Sequence, residues 1–162
     1  RHCHADGYCY VHRPRNAGGK SCPRDDGKGC YHNDKVCFVD EGASLENTII
    51  SFGDFTHKND YTARKQLITI GYLYPLVSKI RMFGSAAIDF SYVASGNTQA
   101  CVVITKNAWD IMPGYLLCKE AGAILTNLKG EPYNIGDDGL IASCNNSVSD
   151  IIINSLNKAG FI

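Results

Sequence analysis

The run "TQACVVIT", Thr98 to Thr105, carries Ala100, Cys101, Val102, Val103 and Ile104 in succession with no polar residue among them. A strand with one face in water alternates apolar and polar side chains, whereas an unbroken apolar run must be covered on both faces. Such a strand belongs in the middle of a layered structure. The flanking sequence supplies the layers. "LENTIISFGDF" (Leu45 to Phe55) is rich in β-branched residues and closes on a glycine turn, which predicts a strand. "DYTARKQLITIGYLYPLVSKI" repeats apolar residues at spacings of three and four. The pattern predicts a helix that ends near Pro75 and carries Leu67, Ile70, Gly71, Tyr74 and Val77 on one side.

"KIRMFG" then reads as a short strand, and "SAAIDFSYVASG" as a helix started by Ser85 and ended by Gly96. Beyond the apolar strand, "KNAWDIMPGYLLCKEAGA" predicts a helix ended at Gly122. Strands "AILTNL" and "GLIASCN" follow around a "KGEP" turn, and "SVSDIIINSLNKAGF" is a terminal helix. Strands alternating with helices predict an α/β domain, a layered sheet with flanking helices.

The first 34 residues do not share this pattern. Arg1 to Asp34 is polar and glycine-rich, holds four of the five histidines and has hardly an aliphatic side chain beyond Val11. It cannot form a core alone, so the organisation predicted is a Cys/His-rich segment over 1–34 and an α/β domain over 35–162. Five of the eight cysteines, Cys3, Cys9, Cys22, Cys30 and Cys37, crowd the first quarter. Three readings stay open for this segment. Zinc could take ligands from Cys3, His4, Cys9, His12, Cys22, Cys30 and His32, although no C-x-x-C pair occurs. Disulfides could staple a loop-rich segment, leaving one of the five unpaired. The segment could also be foreign to the domain it precedes. Cys101, Cys118 and Cys144 sit in apolar surroundings and read as buried, reduced thiols.

Sixteen basic residues balance sixteen acidic ones. No global charge favours nucleic acid or an anionic membrane, so any ligand must be recognised locally. No apolar run reaches the roughly 18 to 20 residues that span a bilayer, and the first residues lack the apolar core of a signal peptide. A soluble, cytoplasmic protein is expected.

Two places could carry chemistry. "RMFGSAAIDF" runs from a strand through Gly84 and Ser85 into a helix at Ala86. First-turn N–H groups have no partner inside their helix and can hold a phosphate or hydroxyl oxygen, and glycine permits close approach. The second place is Asp110, at the start of the next helix beside Trp109, the only tryptophan. A carboxylate is favoured there by the helix dipole. A bulky aromatic neighbour predicts a partly enclosed position at the strand end, where α/β proteins place their sites, and an enclosed aspartate needs a divalent cation or a ligand hydroxyl as partner.

The run "GSAAIDFSYVASGNTQACVVITKNAWDIMPGYLLCKEAGAILTNLKGEP", followed by "GLIASCN", resembles the C-terminal half of the inositol monophosphatase family. The specific part is G-S-A-A paired with W-D-I-x-P-G and then E-A-G. "GKGCYHNDKV" is similar to the family's "GxGaxxNg" hairpin, which extends the likeness over Gly27 to Ile162. The resemblance implies a magnesium-dependent, lithium-sensitive phosphomonoesterase acting on a sugar or inositol phosphate. It implies Asp110 as a catalytic metal ligand for Mg2+, and Gly84, Ser85 and Ala86 as contacts to substrate hydroxyls. It implies Trp109 packed behind Asp110 to aim it, a small-molecule phosphate ester as partner, and a homodimer as one assembly that family members form.

Two departures qualify the expectation. Seven residues before Asp110, where many inositol phosphatases carry a sugar-contacting glutamate, this chain has Val103. Inositol is thereby disfavoured. The family's G-E-E and D-P-x-D-G-[ST] metal motifs are not found, and divalent metal catalysis draws on several carboxylates. The 162-residue chain is therefore expected to be inactive alone. The rival expectation is a non-catalytic binding module with a Cys/His-rich N-terminal element.

Overall fold

The computed structural model describes residues 9–12, 29–33, 35–55 and 60–162. Three short strands, β1 (Cys9–His12), β2 (Gly29–His32) and β3 (Lys35–Val36), form an antiparallel sheet in the order β1-β2-β3. Asn33, with φ of 51°, turns the chain between β2 and β3, a backbone region asparagine tolerates better than most residues. The hairpin expected from "GKGCYHNDKV" is present. The boundary drawn at residue 34 falls inside it, and Cys30 of β2 joins the same buried cluster as the rest of the core. Cys3, His4 and Cys22 lie outside the described residues.

The second sheet has five strands in the order β5-β4-β6-β8-β7, with β4 (Ile49–Phe52), β5 (Lys79–Arg81), β6 (Ala100–Val103), β7 (Ile124–Thr126) and β8 (Leu140–Ser143). β4 pairs in parallel with both β5 and β6, while β8 runs antiparallel to β6 and to β7. All four residues of β6 are buried, as its unbroken apolar sequence requires. Leu45–Asn47 forms a 3-10 turn ahead of β4, so the strand is shorter than "LENTIISFGDF" suggests.

Four helices cover the sheet: α1 (Asp60–Leu73), α2 (Ala86–Ala94), α3 (Ala108–Ala121) and α4 (Asn146–Lys158). α1 packs with α4, and α2 with α3. α1 stops two residues before Pro75 and continues as a 3-10 turn over Tyr74–Leu76. Its buried side differs from the one expected. Gln66, Thr69 and Leu73 face inward with Ile70 half-buried, whereas Leu67, Gly71 and Tyr74 are exposed. The physical reason is that apolar residues surround α1 on every side, so their spacing alone selects no face; the seat is set by polar side chains that fit it, including Thr69, whose hydroxyl donates to the Lys65 carbonyl at 2.8 Å.

α2 and α3 cross at a contact only glycine permits. A Cβ at Gly114 would stand 2.0 Å from Cδ2 of Phe90. α3 ends at Gly122, with φ of 92°. Among the described residues no helix is long and apolar enough to cross a membrane.

Candidate active site

Three parallel strands deliver three segments to one end of the sheet. β4 runs into Gly53 and Asp54, β5 leads through Gly84 into α2, and β6 leads through Thr105 into α3. Carboxyl ends of parallel strands are where crevices open in such sheets, because successive connections diverge to opposite faces. A cleft of about 510 Å3 lies there, lined among others by Asp54, Gly84, Ser85, Ala86, Val103 and Asp110. The residues singled out from sequence thus share one cleft.

Gly84 has φ of 74°, which a side chain makes unfavourable. Ser85 is extended and its side chain does not cap α2. Its carbonyl accepts from the N–H groups of Ile88 and Asp89, both at 3.0 Å. The N–H groups of Ala86 and Ala87 precede the first intrahelical bonds and remain for a ligand.

Asp110 is exposed in the first turn of α3. The Asn107 side chain does not cap the helix; its amide donates to Oδ2 of Asp110 at 3.2 Å. Trp109 departs from expectation. It is 75% exposed, so it neither encloses Asp110 nor packs behind it. Trp109 is instead one of the residues that line the cleft. Asp110 is oriented by Asn107.

Two carboxylates were missed from sequence. Asp54 is exposed in the cleft, its oxygens 3.8 and 3.9 Å from where a Cβ on Gly84 would stand. Its signal was available in "SFGDF", a glycine turn directly after a strand whose two neighbours already marked the site. Asp89, in the first turn of α2, is fully buried, and neither of its oxygens nor the Ser51 hydroxyl has a hydrogen-bond partner. Burial pushes the Asp89 carboxyl from 3.8 up to about 6; the Ser51 hydroxyl beside it, outside good hydrogen-bond geometry, opposes the shift only in part, and the Asp54 charge adds to it.

The Asp89 shift predicts an unusual pH dependence. Below about pH 4 the group is neutral in folded and unfolded chains alike, and no stability is lost. From pH 4 to 6 the unfolded chain releases the proton first, so stability falls as pH rises, levelling above pH 6 at a penalty of about 3 kcal/mol. Asp89→Asn is expected to abolish this slope and to exceed the wild type in stability at pH 8. Urea unfolding of both proteins at pH 4, 5, 6 and 8 checks it; parallel profiles would refute the assignment.

Magnesium binds through several oxygen ligands. Among the described residues no group of three or more His, Cys, Asp or Glu side chains could hold a metal ion. The cleft's two carboxylates, Asp54 and Asp110, therefore do not make up a complete metal site among the described residues.

Fold and cleft together define an α/β protein with a ligand-sized crevice at the carboxyl ends of parallel strands. The chain belongs to the inositol monophosphatase family, whose model matches residues 10–160. It is 30% identical over 148 residues to a fructose-1,6-bisphosphatase/inositol-1-monophosphatase of Thermotoga maritima, covering 91% of this chain and 54% of that protein. An inositol-1-monophosphatase of Mesorhizobium japonicum is 29% identical over 132 residues, covering 82% of this chain and 49% of that protein. Among solved structures, the extragenic suppressor protein suhB of Bartonella henselae superposes with a TM-score of 0.73 at 31% identity, over 82% of this chain and 50% of that one. The chain spans about half the length of these relatives.

Proposed function

We propose that this chain is the substrate-binding half of a magnesium-dependent phosphomonoesterase acting on a small sugar phosphate. The observation that carries the reading is the single cleft shared by the α2 start at Gly84, Ser85 and Ala86 and by Asp110. In this reading the N–H groups of the α2 start bind substrate oxygens, and Asp110, held by Asn107, contributes one carboxylate to the ion. When bound, magnesium activates water and neutralises the leaving oxygen. The remaining ligands come from the upstream half of the family fold. Val103 in the cleft wall supplies no carboxylate for a sugar hydroxyl, which favours substrates other than inositol phosphate. The family resemblance further suggests a homodimer and a cytoplasmic location.

Binding tests the reading without turnover. Glucose 6-phosphate titrated into the 15N-labelled chain is expected to shift the amides of Ser85, Ala86 and Ala87, with glucose as the inert control. Gly84→Val places two methyls in the cleft and a β-branched residue at positive φ, and is expected to remove those shifts while α4 amides keep their positions. Shifts confined to other surfaces would refute the reading.

A further inference from the structure

The cysteine-rich start of the chain is not absorbed by the phosphatase reading, and its described part contains a specific juxtaposition. β2 and β3 pair Tyr31 with Val36 and His32 with Lys35. One step further from the turn, Cys30 stands opposite Cys37, and the Cys37 N–H donates to the Cys30 carbonyl at 2.9 Å. The two sulfurs are 3.0 Å apart. We propose that Cys30 and Cys37 form a reversible cross-strand disulfide, a redox modification site that fastens the hairpin to the core.

The backbone already permits the bond. Directly opposed residues of an antiparallel pair have Cα atoms about 4.5 to 5.5 Å apart, inside the range of about 4.4 to 6.8 Å that disulfides span. The sulfurs need approach by only about 1 Å to reach the bonded distance of about 2.05 Å. Access is graded: Cys30 is fully buried, while Cys37 is half-buried.

The oxidant is a small-molecule disulfide such as glutathione disulfide. The Cys37 thiol loses its proton to water, and its thiolate attacks one sulfur of glutathione disulfide. That disulfide breaks, and one glutathione leaves as a thiol after taking a proton. The Cys30 sulfur then attacks the Cys37 sulfur of the mixed disulfide as its proton passes to the departing second glutathione, which leaves as a thiol. The protein loses two electrons and two protons, and glutathione disulfide gains both as two thiols. Two contacts tie the result to the body of the fold. Cys30 belongs to the buried core cluster, and the Val39 N–H, two residues beyond Cys37, donates to the Ala121 carbonyl at the end of α3 at 3.1 Å. Cys101, Cys118 and Cys144 are buried elsewhere, and burial pushes the thiols of Cys101 and Cys144 up, so the half-buried Cys37 is the thiol that meets the oxidant first.

The test uses the whole 162-residue chain, exposed to glutathione disulfide, alkylated and mapped by peptide mass spectrometry. The expected product has a Cys30–Cys37 crosslink, is reversed by dithiothreitol, and melts at higher temperature than the reduced chain. Cys30→Ser is expected to trap a glutathione adduct on Cys37, and Cys37→Ser to leave Cys30 unmodified. Wild-type protein in which Cys30 and Cys37 remain alkylatable, or become linked to Cys3, Cys9 or Cys22 instead, would overturn the proposal. The wild-type map decides whether or not either variant folds.

Discussion

Replacing Gly114 with alanine is expected to cost the fold about 3 kcal/mol or more. Helix propensity alone points the other way, since alanine within a helix is favoured over glycine by about 1 kcal/mol. The contact with Phe90 decides the sign. A methyl carbon at Gly114 would stand 2.0 Å from Cδ2 and 2.7 Å from Cβ of Phe90, far inside contact distance, and Phe90 is itself fully buried. Relief requires α2 and α3 to separate, and these helices carry Ser85 and Asp110 at their starts. Chemical denaturation of Gly114→Ala, Phe90→Leu and the double variant checks the cause. The two changes are expected to cost less together than the sum of their separate effects, whereas a stabilised Gly114→Ala would show that the helices do not approach this closely.

In a full-length phosphatase carrying this half, Asp110→Asn is expected to lower turnover by orders of magnitude while leaving the fold nearly intact. The two effects separate because Asp110 is exposed and contributes to folding only through the dipole of α3 and one hydrogen bond from Asn107. Together those are worth about 1 to 2 kcal/mol. At the proposed metal site the loss is larger, because a neutral amide replaces a charged oxygen ligand of a hard cation. Wild-type turnover and magnesium dependence in the variant would remove Asp110 from the centre of the account.

The layered fold was legible because its strongest signals are local and consistent. The unbroken apolar β6, the glycines ending α2 and α3, and Pro75 closing α1 each act through neighbouring residues, and each lies where expected. The face of α1 was not legible. Leu67, Ile68 and Tyr72 are exposed while Gln66 and Thr69 are buried, so an amphipathic reading of that helix selects the wrong side.

The candidate site was half legible for a related reason. Gly84 and Asp110 stand at helix starts, where sequence reports backbone geometry. Asp54 and Asp89 gain their meaning only when β4 is placed between β5 and β6, which no local spacing encodes. Trp109 failed as a marker of enclosure because side-chain bulk does not specify where a first helical turn projects. The Cys30–Cys37 proximity depends on the β2–β3 register and was likewise invisible as spacing along the chain.

The central claim is that this chain holds the substrate side of the centre and too few carboxylates for the metal side. The most direct measurement is phosphate release from sugar phosphates by the purified 162-residue chain across a magnesium titration, with a chelator control. The account predicts no turnover above the chelated blank at any magnesium concentration, in the same preparation whose Ser85, Ala86 and Ala87 amides respond to glucose 6-phosphate. Robust, chelator-sensitive release would contradict it, because acidic residues outside the set assigned here would then complete the metal site and the chain would be a whole catalyst.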